Sequence, residues 1–113
     1  MSRMTNQGYN NMLSSYFMNQ NNKFYIQAGL GSPSVNGLGS PFGSRVEATK
    51  QHDTITMIIS LRGSVKSTSS SIRFTEIAVF DSPTGGNCIF AGNMDRKTEN
   101  GDVIPLEVQI TRP

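Results

Sequence analysis

The sequence predicts an all-β fold, a small antiparallel β-sandwich of about six strands preceded by an arm that contains one short helix. Three observations carry this. Ile, Val and Thr supply 24 residues while Ala and Leu supply 9, the reverse of a helical bundle. Short runs that alternate apolar and polar residues recur along the chain, which is the period of half-buried strands. Clusters of Gly, Ser, Asn and Pro separate those runs, as in proteins with many tight turns. A length of 113 residues fits one domain with one core.

Residues 1–22 read as a separate arm and 23–113 as the sandwich. The arm holds a single charge, Arg3, and neither Ile nor Val. Within it Tyr9, Met12, Leu13, Tyr16 and Phe17 recur at helical spacing, with Asn10, Asn11, Ser14 and Ser15 on the other side. Asn and Ser are poor helix formers and the segment is short, so the helix is expected only where its stripe is docked. Two destinations fit, the domain's own core or a neighbouring subunit, and an intermolecular tether is the expectation we carry forward.

The first strand is expected over 24–30, where Phe24, Ile26, Ala28 and Leu30 share a face. Gly29-Leu30-Gly31-Ser32-Pro33 then recurs as Gly37-Leu38-Gly39-Ser40-Pro41, and 31–44 reads as a surface loop. No third glycine follows at dinucleotide-loop spacing and no βαβ unit receives one. Two strands, 45–51 and 54–62, are expected to join at His52-Asp53, with a polar connector over 63–71. Ile72 to Phe80 is the next strand, with Ile72, Phe74, Ala78 and Phe80 on one side and Ile77 and Val79 on the other. Asp81 to Asn87 is a concentrated turn signal. Cys88 to Met94 returns as a strand, Asn100-Gly101 marks a tight turn, and Ile104, Leu106, Val108 and Ile110 alternate to the end.

Composition excludes several function classes. The net charge is +2 and the basic residues are scattered, so no nucleic-acid footprint is expected. No apolar run reaches the length of a membrane span and no signal-peptide pattern opens the chain, so neither a membrane partner nor export by that route is expected. Cys88 is the only cysteine and, beside Ile89 and Phe90, reads as an inert buried thiol. His52, the one histidine, has no ligand-spaced companion, and no nucleophile elbow or calcium-loop pattern appears. No cofactor or metal is expected. Glu76 stands apart, because its parity places a carboxylate among Phe74, Ala78 and Phe80. Such a group must be paired, to a backbone amide or to an arginine such as Arg45 or Arg62.

The segment from Ile72 to Asn87, Ile-Arg-Phe-Thr-Glu-Ile-Ala-Val-Phe-Asp-Ser-Pro-Thr-Gly-Gly-Asn, resembles a family of small tailed-phage virion proteins that carry a T-E-x-G-L-F-D-x-x-x-G-G-N stretch. Upstream, Tyr25 to Pro33 is similar to their Y-I-G-x-G-T-G strand, which also follows a short helix. Downstream, Ala91-Gly92-Asn93 and Gly101 to Pro105 are similar to their x-G-x and G-D-x-x-x-P ending. Ala78 replaces a usual Gly, and Gln27 a usual small residue. The resemblance implies a non-enzymatic structural protein located in the virion and assembled in the host cytoplasm, with Glu76, Phe80, Asp81, Gly85, Gly86 and Asn87 as its structural motif. Its partners would be other virion proteins, the major capsid protein or tail and baseplate proteins, and it would act as a homo-oligomer or in many copies. A capsid decoration (cement) protein is the leading expectation and a tail, baseplate or fibre adaptor the alternative. A carbohydrate-binding module built on Tyr9, Tyr16 and Tyr25 is the second alternative, although the chain has no Trp.

Overall fold

The protein is described by a computed structural model over residues 4–34, 36–68 and 71–111. Expectations that fall on Met1 to Arg3 of the arm, Val35 of the loop, and Ser69 and Ser70 of the connector therefore lie outside the described residues. Among the described residues one helix, α1 (Asn6–Tyr16), precedes seven strands: β1 (Tyr25–Gly29), β2 (Val46–Glu47), β3 (Thr49–Asp53), β4 (Ile58–Lys66), β5 (Ile72–Phe80), β6 (Cys88–Thr98) and β7 (Val103–Ile110). They form two antiparallel sheets, one ordered β2-β1-β5-β6 and the other β3-β4-β7. The fold is the expected antiparallel sandwich, with one strand more than the six anticipated.

The extra strand arises because the chain changes sheets at Ala48. Between β2 and β3 only this residue intervenes; it is buried, and its N–H donates to the Phe24 carbonyl at 2.8 Å. The core lies between the sheets, with Ile26, Ala28 and Val79 on one side and Ile59, Leu61, Ile104 and Leu106 on the other. Gly63 lets the sheets approach: a Cβ there would sit 2.3 Å from Cγ2 of the fully buried Ile26. A β-branched side chain locked in a core cannot swing aside, so Gly63→Ala should cost about 1–3 kcal/mol, read as a melting temperature lowered by roughly 5–15 °C. Gly92→Ala is the control, because a Cβ at Gly92 meets nothing within 4 Å. Equal melting of the two variants would contradict this account of the sheet spacing.

Several boundaries differ from the sequence expectation. The β3–β4 turn falls at 54–57, not at His52-Asp53, because Oδ1 of Asp53 accepts from the N–H groups of Ile55 (3.0 Å) and Thr56 (3.2 Å). This side-chain bracket closes a local turn. Ile55, expected in a strand, is 90 % exposed at its tip, and Met57 adopts φ 59° to leave it. The connector begins later than residue 63, since β4 continues to Lys66, and β6 continues past Met94 to Thr98.

Of the two destinations open to the arm's stripe, its inner residues take the domain's own core. Thr5 caps α1, its Oγ1 accepting from Gly8 N–H at 3.1 Å, and Tyr9, Leu13 and Phe17 enter the same core as the strands. The Phe17 ring centroid lies 5.2 Å from Phe24 and 6.0 Å from Phe90. On the flank toward β3, His52 engages the helix through both ring nitrogens, with Ser14 Oγ at 3.3 Å from Nδ1 and Asn10 Oδ1 at 3.2 Å from Nε2. Lys50 Nζ donates to the carbonyls of Asn19 (3.0 Å) and Asn22 (2.6 Å), fastening the return from the helix to β1. Its ammonium is held below the ordinary lysine range by burial, which outweighs the attraction of Glu47.

Candidate functional site

The polar groups singled out by the sequence converge on the face of the β2-β1-β5-β6 sheet that looks away from the core. On β5 the alternation breaks at Thr75, where pairing with β6 is irregular between Phe74 and Glu76. Ile72 and Phe74 consequently join Ile77 and Val79 in the core, which corrects their expected separation onto opposite sides. Glu76 is fully buried, as expected, but on the outer face. There it stands beside Gly29, its partner on β1, and residues 30–34 and 36–42 fold over it.

Three backbone amides meet its carboxylate. Gly31 N–H donates to Oε2 at 2.7 Å, Ser40 N–H to Oε2 at 2.8 Å, and Gly39 N–H to Oε1 at 2.7 Å. These donors explain the repeated pentapeptide: Gly31 and Gly39 are the third residues of its two copies. The glycines are needed for space. A Cβ on Gly29 would lie 2.4 Å from Oε2, one on Gly31 2.9 Å from Ser40 N, and one on Gly39 2.6 Å from the Ser32 carbonyl oxygen. The loop is stitched further by Leu30 N–H to Ser40 O (2.8 Å), Phe42 N–H to Ala28 O (3.0 Å) and Thr75 Oγ1 to Gly31 O (2.6 Å). Burial pushes the Glu76 carboxyl up, but the hydrogen bonds from Gly39, Ser40 and Gly31 outweigh it and hold the group below the usual glutamate range. Backbone amides are therefore the partner, and neither Arg45 nor Arg62 is: Arg62 Nε pairs with Glu107 Oε1 at 2.7 Å.

Arg45 instead fastens the following turn. Its Nη1 donates to the carbonyls of Ser82 (2.8 Å) and Gly85 (2.7 Å), and the guanidinium carbon lies 3.5 Å from the centroid of the Phe80 ring. Asp81 closes the turn at its base by accepting from Asn87 N–H at 2.8 Å and Asn87 Nδ2 at 3.1 Å. Those bonds, with Arg45 a lesser contributor, hold the Asp81 carboxyl below its ordinary range. Gly85 and Gly86 sit at φ 60° and 67°, the left-handed region that favours glycine. At Gly86 a Cβ would also approach Asp81 Oδ1 to 2.5 Å. The motif residues Glu76, Phe80, Asp81, Gly85, Gly86 and Asn87 thus build one architectural unit, a loop layer and a turn clamped to a sheet.

The remaining candidates do not add a reactive centre to it. Cys88 Sγ contacts the Phe90 carbonyl at 3.3 Å, and burial pushes the thiol up, which suits an inert side chain. His52 packs against α1 through Ser14 and Asn10. Among the described residues no cluster of His, Cys, Asp and Glu could hold a metal ion, and no helix is long and apolar enough to cross a membrane. The three tyrosines do not share a surface: Tyr9 is buried, Tyr16 packs edge-on to Phe24 at 5.3 Å, and Tyr25 lies on the outer sheet face opposite Phe80. Of the helical stripe, only Met12 and Tyr16 remain exposed, at 46 % and 40 %. No protein-family model and no curated protein matches this chain.

Proposed function

We propose that this chain is a non-enzymatic structural protein of a tailed-phage particle, most simply a decoration or cement protein that binds the capsid shell noncovalently in many copies. The observation that carries the reading is the state of Glu76. A general acid or base needs a free lone pair and access to substrate, whereas this carboxylate is sealed from solvent and accepts three backbone hydrogen bonds. The same holds in milder form for Asp81, whose two oxygens both face Asn87. The motif that carries the phage resemblance is thus occupied with making a rigid loop-on-sheet scaffold.

The test is to locate and count the chain in purified particles by cryo-electron microscopy and quantitative mass spectrometry. Hundreds of copies on the shell support the cement role. A handful at the tail or baseplate would transfer the assignment to an adaptor, and absence from the particle would overturn both. The contact itself should depend little on charge, because the net charge is +2 and α1 carries no charged residue. Particle binding should change by less than about threefold between roughly 50 and 200 mM salt, where an interaction through six to ten phosphates would weaken by about 10³–10⁵. A steep log-log dependence would contradict it.

A further inference from the structure

We infer that the outer edge of β6 is a strand-addition site that receives a short, uncharged, extended segment of a neighbouring protein. Four strand edges are available in the two sheets, and they differ. β2 is only two residues long, β7 carries Pro105, which lacks an N–H, and β3 carries Lys50 and Asp53 and meets α1 through His52. Short length, proline, charge and a covering helix are the devices that blunt an edge. β6 is eleven residues long, contains no proline, and carries its charges, Asp95, Arg96 and Lys97, only beyond Asn93.

The pairing of β6 with β5 sets the length of the site. It is irregular between Val79 and Phe80 and again between Phe74 and Glu76, which leaves two regular ladders: Arg96 to Thr98 against Ile72 to Phe74, with charged Arg96 and Lys97, and the longer, uncharged Phe90 to Asn93 against Glu76 to Val79. Bulges terminate pairing and bend a strand, so the added segment should be about four residues, roughly 13 Å long. A groove of about 470 Å³ runs along this stretch, between Pro33 and Ser34 of the loop and the strand from Cys88 to Asn93. That volume falls within the range of ligand sites.

The lining specifies the occupant. None of those side chains is charged, so a buried ionic group on the guest would be left unpaired. A guest proline would remove one of the main-chain bonds that give strand addition its affinity. The groove is bounded by the loop as well as by β6, so it admits a single extended segment, whereas β6 of a second copy would bring β5 behind it. Gly92 lies at the centre, and a Cβ there would meet nothing within 4 Å. A larger side chain can therefore be placed there as a probe of the groove without disturbing the fold. That the guest belongs to a virion protein rests on the assembly role proposed above; the site and the chemistry of its guest do not.

The experiment uses the full-length chain panned against a library of displayed random heptapeptides. It should enrich uncharged, proline-poor sequences with alternating β-branched residues. A synthetic peptide from that selection should slow hydrogen exchange of outward-facing amides within 90–93. Gly92→Arg should weaken it by at least about tenfold while the melting temperature stays within a few degrees. The inference is overturned by a selection that yields no binder, by charged or helical winners, by protection elsewhere, or by wild-type affinity in Gly92→Arg. It is equally overturned if 90–93 become protected without peptide in a concentration-dependent dimer, which would make a second copy the occupant. Absence of the chain from particles would sink the virion role and leave these outcomes readable.

Discussion

Glu76→Gln should lower the melting temperature at neutral pH by roughly 10–20 °C, the cost of about 2–4 kcal/mol in a domain of this size. The carboxylate offers acceptor sites on both oxygens to three amides, while a glutamine carbonyl offers one oxygen and turns an NH₂ group toward a donor. The amides of Gly31, Gly39 and Ser40 cannot all be satisfied again without moving the loop. Glu76→Ala should cost at least as much, because it also empties the volume beneath the loop. Against a total stability of about 5–15 kcal/mol, either variant should be visibly compromised. A Gln variant that melts within about 2 °C of wild type would show that the amide cage contributes nothing.

The same cage fixes the sign of the acid response. The folded-state pKa of Glu76 lies below its ordinary value of 4.5, so its contribution is complete above that value and is lost as pH falls through the lowered one. Asp81 and Asp53 are shifted in the same direction, by bonds from Asn87 and from Thr56 and Ile55. Stability should therefore fall as the solution is taken below the carboxylate range. In Glu76→Gln the fall should be shallower, since one of the linked groups is gone. An unchanged slope in the variant would assign the acid sensitivity to the two aspartates alone.

How much of this could be read from the sequence depends on whether the determinant was local. The all-β class and the strand Ile72 to Phe80 follow from residue type and alternation, and the structure places β5 at those bounds. That Glu76 would be buried and paired follows from its parity. Its partners did not, because backbone amides carry no side-chain signature and 31–44 looks like any glycine-serine surface loop. The available signal was the coincidence of a duplicated Gly-Leu-Gly-Ser-Pro with an unpaired buried acid. The turn at 54–57 was hidden for a different reason. Ile55 and Met57 extend the alternation of β4 in register, and the deciding element, Asp53 bonding two residues ahead, is a side-chain turn.

The arm was the most ambiguous part of the sequence, and its substitution pattern should now separate the two destinations of its stripe. Leu13 is 1 % exposed within the core, whereas Met12 beside it is 46 % exposed. Leu13→Ala removes a side chain buried in the common core, and such changes cost about 2–5 kcal/mol depending on how far the site collapses. A melting temperature lower by roughly 10–20 °C is expected. Met12→Ala should stay within about 0.5 kcal/mol of wild type, since it leaves no cavity and alanine favours the helix. Deleting residues 1–22 removes Tyr9, Leu13 and Phe17 together and should leave a chain that is largely unfolded at 37 °C, not an intact sandwich without its tether. If the truncated chain folds with wild-type melting and loses only particle binding, the helix is a detachable tether and its packing against the core contributes no stability. If instead Leu13→Ala melts early while Met12→Ala melts normally but binds particles poorly, one helix serves both ends. Its inner stripe would then close the sandwich and its outer residues would meet the neighbour.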